Sequence, residues 1–244
     1  MAPQPKFLQT LKGTKTVIIG GATGIGFAVG EHLIEEGASV VIASSNKAKV
    51  SHAVARLNDA DKQYNADPSR TAGHTVDLSG PQSEASLHAL FKQVGPFDHL
   101  VITSAVFNPV PLREQTFESI VQTGDVRFAG VILAVKYPPD GWSVLSGFCG
   151  AMLSLTRALA LELSPKSIRV NCISPGATAT EMFHEMSLEV QERLASKVLT
   201  GKVGRPEDLA ITYVALLKNK NINGTTIDDD GGAYAAKLQA QEEE

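Results

Sequence analysis

The chain has 244 residues, 43% hydrophobic and 20% charged, proportions that exclude a disordered or fibrous protein and allow a large buried core. Lys and Arg number 22 against 26 Asp and Glu, a net charge of −4, which argues against a nucleic-acid or membrane-surface protein. The two cysteines, Cys149 and Cys172, form neither a disulfide framework nor a zinc spacing, and no stretch reaches the ~18 apolar residues of a membrane span. With no signal-peptide run in MAPQPKFLQTLKG, the expectation is a soluble, cytoplasmic protein with residues 1–244 as a single domain.

In chain order, short β-branched runs alternate with longer amphipathic stretches. Strands are predicted at 15–19 (KTVII), 39–43 (SVVIA), 74–76, 99–103 (HLVIT), 168–173 (IRVNCI) and 225–228 (TTID). Helices are predicted at 24–36, 47–57, 83–94, 117–135, 147–163 and 207–218. Such alternation predicts an α/β fold with a doubly wound parallel sheet, and strands that are apolar throughout are those covered by helices on both faces. The polar stretch 58–70 reads as a surface loop or frayed helix end, and the tail AKLQAQEEE as a solvated end.

The first strand runs into Gly20-Gly21-Ala22-Thr23-Gly24-Ile25-Gly26. Glycines there allow a tight turn and close backbone approach, and the following helix aims free N–H groups and its positive dipole end at a diphosphate. The surrounding strand and helix favour a dinucleotide site over an ordinary strand-to-helix turn. Roughly 20 residues on, an NAD-binding unit carries an acid for the ribose hydroxyls; this chain has Ser44, Ser45, Asn46 and Lys47. No carboxylate there repels a 2′-phosphate, so NADP(H) is favoured over NAD(H).

This glycine spacing resembles that of the short-chain dehydrogenase/reductase family, a Rossmann-type fold, and the similarity runs from about Leu11 to Tyr234. Asp77-Leu78 resembles the family's adenine-contacting element. Asn171, Ser174-Pro175-Gly176 and Thr178-x-Thr180 resemble the stretch that closes over the nicotinamide and diphosphate. Gly204 to Asp208, Gly224 to Asp228 and Gly231-Gly232 resemble its C-terminal segment. The resemblance implies cofactor contacts from Gly20, Thr23, Gly24, Ile25, Gly26, Ser44, Ser45, Asn46, Asp77, Leu78, Ser104, Ala105, Pro175, Gly176, Thr178 and Thr180. It also implies a homo-oligomer, paired through the helices at 117–135 and 147–163.

The departures from the family pattern fall on the chemistry. Its Asn-Asn-Ala-Gly segment corresponds here to Ile102-Thr103-Ser104-Ala105, and its helical Asn to Arg127. Its Tyr-x-x-x-Lys pair falls on Leu145 and Cys149. In the family the Tyr exchanges a proton with the substrate, its pKa lowered by the Lys. Leu145 has no proton to give and Cys149 no fixed charge, so ordinary carbonyl reduction is disfavoured.

An iminium ion accepts hydride without protonation and asks for positioning and a nearby anion. Asp140 in Pro138-Pro139-Asp140-Gly141-Trp142 offers the anion and Trp142 an aromatic face for a planar cation. With Arg127, this set resembles the fungal reductase/Diels–Alderase branch of the family, which serves malbrancheamide- and paraherquamide-type indole alkaloid biosynthesis. The resemblance implies NADPH-dependent reduction of an iminium-like intermediate and the templating of an intramolecular [4+2] cycloaddition, with Arg127, Asp140 and Trp142 as the catalytic set. The plainer alternatives are a helix-surface or inter-subunit ion pair for Arg127, a composition-driven turn for Asp140 and packing on a neighbouring helix for Trp142. The six histidines show no metal spacing, and Cys149 lies in an apolar helical stripe as a small core residue.

Between the helix ending near Tyr137 and the one beginning near Gly147 lie the residues 138–146. The family places a strand, its active-site Ser and a long loop there, so roughly 20 residues have no counterpart. The expectation is a parallel sheet in which the strand after the fourth helix is missing, through a skipped exon segment or a gene-model error, a point the transcript sequence decides. Besides the reductase, two alternatives stay open: a non-catalytic NADP(H)-binding pseudo-enzyme and an ordinary carbonyl reductase.

Overall fold

The computed structural model describes residues 10–59, 67–78, 83–104, 116 and 143–235, with the backbone alone at 83–84 and 143–149. Strand β1 (Lys15–Ile19) is the centre of a parallel sheet that continues through β2 (Ser39–Ser44) to β3 (Thr71–Thr75) on one side and β4 (His99–Ile102) on the other, in the order β3-β2-β1-β4. The ladder pairs Val17 with Val41 and with Leu100, and Ser44 with Thr75. A second, two-stranded parallel sheet joins β5 (Cys172–Pro175) to β6 (Thr226–Asp229). Among the described residues β4 pairs only with β1, and β5 only with β6.

The helices are α1 (Gly24–Glu35), α2 (Lys47–Leu57), α3 (Ser83–Val94), α4 (Ser143–Leu163), the short α5 (Glu181–His184), α6 (Leu188–Ala195) and α7 (Pro206–Lys218). Because side chains alternate along a strand, β1 and β2 feed two cores. On one face Ile18, Val40 and Ile42 pack with Phe27, Val29, Leu33 and Ile34 of α1, Val50, Ala53 and Leu57 of α2, and Ala210 and Val214 of α7. On the other, Val17, Ile19, Val41 and Ala43 pack with Val76 and Leu90, and with Leu87 and Phe91 of α3. Each such aliphatic side chain, buried from water, contributes about 1.5–3 kcal/mol, so the KTVII and SVVIA runs hold helices on both sides. At Gly30 α1 has room for a side chain against the sheet: a Cβ there would make an ordinary contact of 3.4 Å with Ile42 Cδ1.

Polar ties fasten the ends of this core. Lys218 of α7 pairs with Glu36, just past α1, at 2.9 Å. The Arg169 guanidinium donates to the carbonyls of Leu216, Leu217, Asn219 and Ile222 at 2.7–3.1 Å, and so caps the C-terminal end of α7 with positive charge. At the other end of that helix, the N3 carboxylate of Asp208 accepts from the Arg205 backbone N–H and pairs with its guanidinium at 2.8 Å.

The described helices and strands follow the predicted ones except at several places. The third strand forms at Thr71–Thr75 and not at 74–76, since the edge of β2 offers hydrogen bonds to Thr71-Ala72-Gly73 despite their modest strand propensity; Val76 is buried just beyond the ladder. The predicted strand at 168–173 begins only at Cys172, because Arg169 is drawn to the end of α7 and the Val170 N–H donates to Asn223 Oδ1 at 2.9 Å. Helix α4 starts at Ser143, four residues before its predicted start. Helices α5 and α6 were not predicted; they are set by the caps Thr180 and Ser187, which accept from Phe183 N and Val190 N. Within 58–70, Pro68–Arg70 forms a 3-10 turn capped by Asp67. The predicted helix at 117–135 and residues 138–142 lie outside the described residues.

Candidate nucleotide-binding site

The turn between β1 and α1 is drawn tight by glycines at positive φ, +90° at Gly20 and +54° at Gly24, a region that costs an L side chain about 1–2 kcal/mol. Gly20 N and Gly21 N donate to Ala43 O at 2.8 and 3.3 Å, which ties the turn to the end of β2. From the other side, Thr103 N and Ser104 N donate to Ile19 O at 2.8 and 3.2 Å. A Cβ on Gly20 would strike the Ser104 backbone, and one on Gly26 would strike Gly20 O and Thr103 Oγ1, all under 3.0 Å. Ser104 thus lies against the turn through its backbone. Thr23 is the N-cap of α1, but its side chain makes no capping hydrogen bond and no acidic residue occupies the first turn. The N–H groups at the start of α1, including those of Ile25 and Gly26, therefore remain available for an anion.

A second segment faces this turn. After β5, Pro175-Gly176 leads to Thr178, which is buried, donates its hydroxyl to Gly176 O at 3.0 Å and forms a bridge with Gly204. Gly176 N donates to Asp229 O at 3.0 Å, and a Cβ on Gly176 would strike Asp230 under 3.0 Å. Thr180 caps α5, and its Cγ2 lies 3.0 Å from where a Cβ on Gly24 would stand. The turn residues Gly20 to Gly26 and the segment Gly176 to Thr180 are thus brought together, although about 150 residues of chain separate them.

The end of β2 borders the same region. Ser44 is its last residue, Ser45 is exposed, and Asn46 caps α2, its Oδ1 accepting from Lys49 N at 3.0 Å. Positions 44 to 49 carry two lysines and no carboxylate. Lys49 Nζ reaches Glu181 Oε2 of α5 at 2.8 Å, and this hydrogen bond raises the lysine pKa. Asp77 is exposed beyond β3, whereas Leu78 packs its side chain against the second core. Asn171, aligned by resemblance with the closing stretch, is used structurally: its Nδ2 donates to Ile222 O at 3.2 Å and its Oδ1 accepts from Thr225 N at 3.3 Å.

The cradle suits a dinucleotide: the helix start has N–H groups that could receive a diphosphate, glycines leave room for its close approach, and the end of β2 carries no acid. Ala105, Arg127, Asp140 and Trp142 lie outside the described residues. Among the described residues, no group of three or more His, Cys, Asp or Glu side chains is placed to hold a metal, and no helix is long and apolar enough to cross a membrane. Sequence reasoning missed Lys49 and Glu181, which are 132 residues apart; no local pattern joins them.

Comparison with known proteins agrees with this geometry. Residues 14–138 match the family model for short chain dehydrogenase, and residues 143–234 the model described as enoyl-(acyl carrier protein) reductase. The short-chain dehydrogenase/reductase ATR9 of Stachybotrys chlorohalonatus is 36% identical over 258 residues, covering 93% of this chain and 99% of the relative. The short-chain dehydrogenase/reductase malC of Malbranchea aurantiaca is 35% identical over 266 residues, covering 95% and 98%. Both spans exceed the 244 residues of this chain, so part of each relative faces none of its residues. The structure of the MalC reductase/Diels-Alderase from Malbranchea aurantiaca superimposes with a TM-score of 0.80 at 32% identity, over 92% of this chain and 98% of the other. With the glycine turn, the parallel sheet and the closing segment all in place, the chain belongs to the short-chain dehydrogenase/reductase family of nicotinamide-dependent oxidoreductases.

Proposed function

We propose that residues 1–244 form one NADP(H)-binding domain of a cytoplasmic, homo-oligomeric reductase of fungal indole alkaloid metabolism. It acts on an iminium-like intermediate and templates an intramolecular [4+2] cycloaddition. The observation that carries this reading is the likeness, over nearly the full length of both chains, to the MalC reductase/Diels-Alderase, in a chain whose family Tyr and Lys positions hold Leu145 and Cys149. NADPH, when bound, supplies the hydride. The chain's own work is then to position and to balance charge. The α1 N-terminus and the Thr178–Thr180 stretch hold the diphosphate. Asp140 stabilises the cationic substrate, Trp142 stacks on its planar face and Arg127 orients it. None of these roles needs the proton donor that Leu145 lacks. The absence of a carboxylate at the end of β2 supports NADPH over NADH.

Single-turnover oxidation of NADPH tests the proposal. A cyclic iminium substrate should consume the cofactor and the matching ketone should not, and Asp140→Asn should slow the iminium reaction roughly tenfold or more. Turnover of the ketone with the iminium inert would overturn the reading in favour of ordinary carbonyl reduction.

A second reading is favoured by one observation. One family model ends at residue 138 and the other begins at residue 143, where the sequence lacks a strand and its loop by resemblance, and the alignments with the relatives span more positions than this chain has residues. A protein shortened there would bind NADP(H) without transferring hydride. Binding of NADPH with no oxidation by either substrate would support that pseudo-enzyme reading.

A further inference from the structure

The segment that leaves β5 crosses the starts of two helices. Thr180 Cγ2 stands 3.0 Å from the Cβ position of Gly24, at the start of α1. The next residue, Glu181, reaches Lys49 Nζ at the start of α2, at 2.8 Å. The backbone of Lys49 is fixed by the Asn46 cap at 3.0 Å, so its side chain spans from the first turn of α2 to the closing segment. Lys49, and not the neighbouring Lys47, is therefore the described lysine tied across this region. The first helix start is where the proposed site holds the diphosphate, and the second is where it holds the ribose of the adenosine half.

We propose that the Lys49–Glu181 ion pair is a latch across the adenosine end of the nucleotide cleft, which the 2′-phosphate of NADPH opens by taking Lys49 from Glu181. The inference rests on the cofactor reading above and adds to it how the site is closed and what opens it. Both side chains are more than half exposed, 51% and 61%, and an exposed carboxylate–ammonium pair is held only weakly. A phosphate dianion offers the ammonium group more charge and more acceptor oxygens than one carboxylate. Lys49 carries a compact point charge on a flexible stem, so it can swing between the two without moving α2. A nucleotide lacking the 2′-phosphate offers no such exchange and leaves the latch shut. Glu185, which also acts on Lys49 through its charge, favours the closed arrangement from the same side.

Titration of bound-nicotinamide fluorescence tests the latch with the full-length wild type, Lys49→Gln and Glu181→Gln, using NADPH and NADH in parallel and checking fold by circular dichroism. Lys49→Gln should weaken NADPH binding about tenfold and leave NADH binding within twofold, because it removes one phosphate contact. Glu181→Gln should tighten NADPH binding several-fold, because Lys49 no longer has to be taken from a carboxylate, and leave NADH unchanged. Equal weakening of both nucleotides by Lys49→Gln, or no gain for NADPH in Glu181→Gln, overturns the latch while leaving the nucleotide site standing. A wild type that binds neither nucleotide overturns the latch and the cofactor reading together.

Discussion

Gly26 and Gly30 lie one turn apart on α1, and replacing each by alanine should have opposite effects. A methyl group on Gly26 would sit under 3.0 Å from the Gly20 carbonyl and from Thr103 Oγ1. Neither neighbour retreats easily: Gly20 is held by its N–H bond to Ala43 O at 2.8 Å, and Thr103 by its N–H bond to Ile19 O, also 2.8 Å. Overpacking against fixed backbone costs about 1–3 kcal/mol, while the better helix propensity of alanine returns about 1 kcal/mol at most. The net loss of about 1–2 kcal/mol should lower Tm by about 2–8 °C in a domain of this size. At Gly30 the nearest atom is the Ile42 Cδ1 methyl at 3.4 Å, the far end of a flexible side chain. Gly30→Ala should therefore be neutral or raise stability by about 0.5 kcal/mol. Thermal unfolding followed by circular dichroism separates the two, and NADPH titration should show weakened binding only for Gly26→Ala, whose turn must open. A Gly26→Ala protein as stable as the wild type would refute the reasoning that this turn is closed to any side chain.

Arg169→Met keeps the length of the side chain and removes its four charge-assisted bonds to the α7 end; a loss of about 2 kcal/mol in urea unfolding is expected. Arg205 holds the Asp208 carboxyl down at about 2, below its unfolded value, so this contribution to stability is complete above about pH 4. It is lost as pH falls towards 2. Because the pair is solvent-exposed the contribution is small, and Asp208→Asn should remove it at pH 7 while making a much smaller difference at pH 2, where the carboxyl is already half protonated, as read from unfolding midpoints at the two pH values.

The nucleotide half of the molecule was largely legible in the sequence. Glycine spacing and the apolar KTVII and SVVIA runs report backbone needs and two-sided burial, both of which are local properties. What escaped was set by partners distant in the chain. Thr71-Ala72-Gly73 has little strand character of its own and becomes β3 only because β2 offers an edge. IRVNCI reads as one strand, but Arg169 finds carbonyls 47 to 53 residues away, and the strand starts four residues after its predicted start, at Cys172. Lys49 and Glu181 each look like ordinary surface charges until the fold brings them to 2.8 Å. The substrate side rests on Arg127, Asp140 and Trp142, where resemblance speaks and local pattern does not.

Equilibrium titration of the purified protein with NADPH, followed by the fluorescence of the bound nicotinamide, tests the central claim most directly. The account predicts saturable binding of NADPH that is tighter than that of NADH, since positions 44 to 49 carry no carboxylate and Lys49, once taken from Glu181, would meet the 2′-phosphate beside Ser44, Ser45 and Asn46. Failure of NADPH to change the fluorescence at any concentration, or a clear preference for NADH, would contradict it.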